Sequence, residues 1–154
     1  MAQRVKVIDL GLKEVLHNLA SLDGWGVSTG VHEDDSGRND DEVGNANLYA
    51  IHEFGAGRIP ERSSLRTAFD ANVDSYFKLM AFGAGKVLDG TAKPQAAVAI
   101  VGERSTADTV EGIRKGIPPP NAPFTVARKG SSTPLIDTGQ LVQAIKPKTG
   151  KDLK

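Results

Sequence analysis

The chain has 154 residues, 39% apolar and 25% charged, which fits one globular domain around a single core. Its 19 basic and 19 acidic residues cancel, a balance that argues against a dedicated nucleic-acid binder. There is no cysteine, which excludes disulfides and thiolate metal sites, and the longest apolar run, Ala96 to Val101, is far short of a membrane span.

The apolar stretch Val5 to Leu12 is broken by Lys6, Asp9 and Gly11 and does not read as a signal peptide. Residues 9–22 predict a short helix, with Asp9 as cap and Leu12, Val15, Leu16 and Leu19 at helical spacing. Asp23-Gly24 ends it, and the alternation from Trp25 to Val31 predicts a strand. His32 to Gly44, polar and rich in turn formers, reads as a mobile surface loop.

A second helix is expected from Asn45 to Phe54, with Asn45 at its N-cap and Gly55 as its stop. Ala56 to Glu61 reads as a link pinned by Pro60, after which Ser63 is expected to cap a long helix over Ser64 to Leu88. Leu65, Phe69, Val73, Phe77 and Met80 form an apolar stripe along it, continued by Ala84 and Val87. About 25 residues at 1.5 Å each span roughly 38 Å, so this helix is expected to be the spine of the domain. Gly83 and Gly85 are expected to fray its last turns.

Pro94 suits the first turn of another helix, to Lys115, with a buried strand over Ala96 to Val101 as the alternative. Gly116 stops it, and the prolines of Ile117 to Pro123 force an extended segment. Phe124 to Lys129 predicts one helical turn. Asp137 and Gln140 then have the spacing of a capping box before Leu141, Val142 and Ile145. Pro147 is expected to close that last helix, leaving a frayed, lysine-rich end. No internal repeat is present. The fold class these elements predict is α+β, a small antiparallel sheet including Trp25 to Val31, packed on one long helix with several shorter ones.

None of the motifs that suggest chemistry is complete. His52-Glu53 resembles the start of a zinc-protease helix, but the position four residues beyond His52 is Ala56, not a second histidine. Gly83 to Lys86 (GAGK) lacks the spacing and the Ser/Thr of a phosphate-binding loop, and the acidic loop lacks the alternate-residue spacing of a calcium loop. No serine occupies a G-x-S-x-G turn. The expectation is a protein that is not an enzyme and has no cofactor or metal.

Charge is unevenly spread. Glu33, Asp34, Asp35, Asp40, Asp41 and Glu42 are balanced only by Arg38, whereas from Phe124 onward Arg128, Lys129, Lys146, Lys148, Lys151 and Lys154 outnumber Asp137 and Asp152. Either both stretches are simply solvated, or they meet between copies, where complementary potential sets orientation. Arg58, Arg62 and Arg66, spaced four apart, suit protein contact, arginine being the usual charged anchor of interfaces. DNA phosphate contact is the alternative, but no aromatic platform interleaves with these cations.

Three strings in order are more specific: His52-Glu53-Phe54-Gly55, then Ile59-Pro60-Glu61-Arg62-Ser63 leading into Leu65-Arg66-Thr67-Ala68, and finally Pro134-Leu135-Ile136-Asp137-Thr138-Gly139-Gln140-Leu141. With the Pro-rich segment Pro119 to Pro123 and the stretch Thr125 to Gly130 between them, residues 45–141 resemble the head–tail joining proteins of long-tailed bacteriophages, also called neck or tail-completion proteins. In that family the last string leads into a final strand; here Pro147 and the lysine-rich end argue against one. The resemblance implies a structural virion subunit at the neck or tail end, assembled in the host bacterial cytoplasm. Its partners would be copies of itself in a ring such as a hexamer, and connector, tail-tube or sheath proteins, with DNA only as passing cargo and no membrane. The residues then expected at protein interfaces are His52, Glu53, Arg58, Arg62, Arg66, the arm Pro118, Pro119 and Pro120, and Lys146 with Lys148. Phe54, Gly55 and Asp137 are assigned to maintaining the fold. A DNA-contacting packaging or morphogenesis accessory is the alternative function.

Overall fold

The computed structural model describes residues 9–33 and 43–153. Most of the acidic loop, Asp34 to Glu42, lies outside them, as does Lys154. The elements run α1 (Leu12–Ser21), β1 (Trp25–Val31), α2 (Asn45–Phe54), α3 (Ser64–Leu88), α4 (Pro94–Lys115), α5 (Pro123–Lys129), α6 (Gln140–Gln143) and β2 (Ile145–Lys151). The protein is α+β, and β1 and β2 form an antiparallel two-stranded sheet in which Val31 pairs with Ile145 and Trp25 with Lys151.

Local chemistry explains most of the element boundaries. Gly55 ends α2 at a φ of 73°, and a Cβ there would meet the Glu61 amide nitrogen at 3.0 Å. Pro94 sits in the first turn of α4, whose apolar run is helix, not strand. Pro123 likewise opens α5, which runs to Lys129 and stops at Gly130 in the left-handed conformation.

The centre of the molecule is α4, not α3. One side of α4 packs along α3 and the other carries both strands. Small residues let these layers approach closely. A Cβ on Gly83 of α3 would lie 2.9 Å from the Ala97 carbonyl, and one on Gly102 of α4 would lie 2.6 Å from Val27 and 2.7 Å from Pro147. Gly83 is therefore a contact point where α4 crosses, and α3 continues unbroken to Leu88.

Residues 145–151, expected to end a helix at Pro147 and then fray, form β2. Proline has no N–H to give a ladder, but in a two-stranded sheet each strand has an open edge toward which a proline nitrogen can face. Pro147 pairs with Thr29, and its ring packs toward Gly102. Lys146 and Lys148 alternate with it and are exposed. At this end Tyr49, Ile113, Ile117, Leu135, Leu141 and Ile145 form the buried core, with Val31, Leu48, Leu65 and Val110 packed against it.

Two expected caps are displaced, and a third, Ser63, stands at the N-cap of α3 without a side-chain bond. Gly44, not Asn45, is the N-cap of α2, and Asn45 is buried in its first turn. Ser63 and Asp137 make no side-chain cap bonds to α3 and α6, and α6 instead starts after Gly139. Asp9 accepts from the amides of Gly11 and Leu12 at 3.0 and 2.9 Å, so it does serve the start of α1.

Candidate interaction surface

The α2–α3 joint is built around Glu53. Its carboxylate accepts from the backbone amides of Leu65 at 3.1 Å and Arg66 at 3.0 Å, and from the Ser64 hydroxyl at 3.4 Å. It thereby caps α3 from another helix and sits at the positive end of the α3 dipole. Ser64 also shares a short hydrogen bond with the Tyr49 hydroxyl. Burial pushes the Tyr49 phenol above its ordinary range; the Ser64 bond opposes that shift and the Glu53 charge adds to it.

Arg62 ties the joint to the proline segment. Its Nε donates to the Pro119 carbonyl at 2.8 Å and its Nη2 to the Pro120 carbonyl at 3.3 Å, while its own amide donates to the His52 carbonyl at 2.6 Å. Pro118, Pro119 and Pro120 present exposed rings, but Arg62 holds the segment to the body of the protein, so it is not a free arm.

Glu53 and Arg62 are each only 6% exposed, which corrects the expectation that both face a partner. His52 is half-buried. Its pKa is held below the ordinary value, first by burial and then by the charges of Arg62 and Lys129. Arg66 is exposed and pairs with Glu61 at 2.8 Å. Arg58 is exposed on the link, which is closed by reciprocal backbone bonds between Ala56 and Ile59. The three arginines thus form no common basic stripe. Among the described residues no group of three His, Asp or Glu side chains is placed to hold a metal ion, and no helix is long and apolar enough to cross a membrane.

A different surface stands out. α3 and β1 both pack on α4 without closing on one another, and they leave a groove of about 560 Å³ between them. Its floor is α4, through Val101, Ser105 and Thr109; β1 contributes Val27 and Thr29 to one wall. The other wall is the apolar stripe of α3, with Phe54 of α2 at its end. A spine would bury this stripe. Here Phe54, Phe69 and Phe77 are 71%, 53% and 66% exposed, so Phe54 is not simply a core residue. Tyr76 is buried on the same helix, donates to Asp108 at 3.0 Å, and has a pKa pushed up to about 12 by burial and then by that bond.

Reading the residues one by one missed the groove because periodicity shows which positions share a face, not what covers them. Composition held a signal. The chain has eight aromatic residues, five Phe, two Tyr and one Trp, and half of them line this one surface. Comparison with protein-family models, with curated proteins and with solved structures finds no match.

Proposed function

We propose that the chain is a structural subunit of a tailed-phage or prophage virion, a ring-forming neck or tail-completion protein that joins the tail to the head connector. The observation that carries this reading is where its family-like strings fall. His52–Gly55 and Ile59–Ser63 build the joint that sets the direction of α3. Pro119 and Pro120 are bonded to that joint through Arg62, and Leu135 and Leu141 pack with Tyr49 in the core beside it. Segments scattered along the sequence thus serve one mechanical junction, as a subunit that must hold a fixed shape between unlike neighbours requires. The exposed aromatic groove gives such a subunit a surface to bury on assembly.

The test is electron microscopy of particles produced without this protein. Unjoined heads with overlong or unfinished tails are the expected defect; normal infectious particles would refute the proposal.

A further inference from the structure

Among the described residues two apolar surfaces have no partner, one on a helix and one in a groove. On α1, Leu12, Val15, Leu16 and Leu19 lie at i, i+3, i+4 and i+7, and all four are exposed; α1 buries no residue at all. That spacing is how an amphipathic helix enters a hydrophobic groove. The groove beside α3 is the matching shape. Its aromatic wall from Phe69 to Met80 covers about 17 Å of helix, and the ten residues of α1 are about 15 Å long.

The two surfaces cannot meet within one copy while α1 keeps its place. α1 is seated against the far end of α3, where the Asn18 side chain donates to the Leu88 carbonyl at 3.2 Å. Leu88 is 19 residues from Phe69, about 28 Å along the same rod. We infer that α1 of one copy docks in the α3–α4–β1 groove of the next copy. The contact is heterologous, head to tail, so it propagates until a ring closes. The exposed apolar side chains of the two surfaces present on the order of 1,000 Å² together, close to the ~1,200–2,000 Å² of a standard interface before flanking atoms are counted. For closure into a ring the inference rests on the joining-subunit reading; the contact itself does not depend on it.

Light scattering on the purified full chain tests the contact, with variants carrying Leu16→Glu on α1 or Phe77→Glu in the groove. Ile100→Glu, at an exposed position of α4 outside the groove, is the control. The native chain and the control should associate at roughly 100 µM, and each of the other two should associate at least about tenfold more weakly, because a charge enters an apolar contact. Mixing the Leu16→Glu and Phe77→Glu chains should restore a dimer and nothing larger, since one keeps an intact groove and the other an intact α1. Circular dichroism should show all variants folded, the substituted side chains being exposed. A monomeric native chain would overturn both the contact and the ring. Native oligomers unaffected by either variant, or a mixture that stays monomeric, would overturn the contact and leave the ring standing.

Discussion

The two ends of the apolar stripe on α3 differ in how they are finished. At the α2–α3 joint, the buried carboxylate of Glu53, the guanidinium of Arg62 and the hydroxyls of Tyr49 and Ser64 all find partners inside the chain. A few turns further along, Phe69 and Phe77 face outward beside an open groove. The joint is optimised for the isolated chain. The groove is not, and a joint that pairs these four groups beside aromatic rings left uncovered fits the proposal that the groove meets a second surface.

Substitutions should separate the two regions. The largest effect is expected from Glu53→Ala, which strips two amides and a buried hydroxyl of their acceptor; the loss should be about 3 kcal/mol by denaturant unfolding, with Glu53→Gln milder because one amide oxygen remains. Arg62→Met should cost about 2 kcal/mol and raise protease sensitivity at the proline segment, whose carbonyls lose their donors.

A smaller effect should appear on acidification. The folded chain holds His52 below its ordinary value of 6.5, so protonation favours the unfolded chain. This contribution is complete above pH 6.5 and is lost as the pH falls through the lowered folded value. His52→Gln should flatten the stability profile between pH 7 and 5, measured by unfolding at each pH. The smallest effect should come from Phe77→Ser. It should change the stability of the monomer by no more than about 1 kcal/mol, since Phe77 is 66% exposed there. A loss of 2 kcal/mol or more would mean that the groove wall belongs to the core and that the contrast is false.

What the sequence made legible was local. Gly55, Pro94 and Gly116 act within a residue or two of where they stand, and they mark the end of α2 and both ends of α4 correctly. The cap of α3 was not legible because the nearest candidate, Ser63, loses to a carboxylate 12 residues from Leu65. β2 was misread because Pro147 is a helix breaker by its chemistry, whereas the edge of a two-stranded sheet accepts it. The alternation of Lys146 and Lys148 with Ile145, Pro147 and Thr149 was the signal available. The stripe on α3 was found, but its exposure depends on where the strands pack on α4, which they approach closely at Gly102 through Val27 and Pro147.

The proposed docking of this chain onto copies of itself can be measured directly. With no native cysteine, engineered thiols report contacts without background. The direct measurement mixes one chain carrying Leu16→Cys with another carrying Phe77→Cys under mild oxidation and identifies the products by mass spectrometry. Docking of α1 in the groove should give a mixed disulfide in excess of either self-linked product and far above a pairing of Leu16→Cys with Ile100→Cys. A mixed product no more abundant than that control would contradict it.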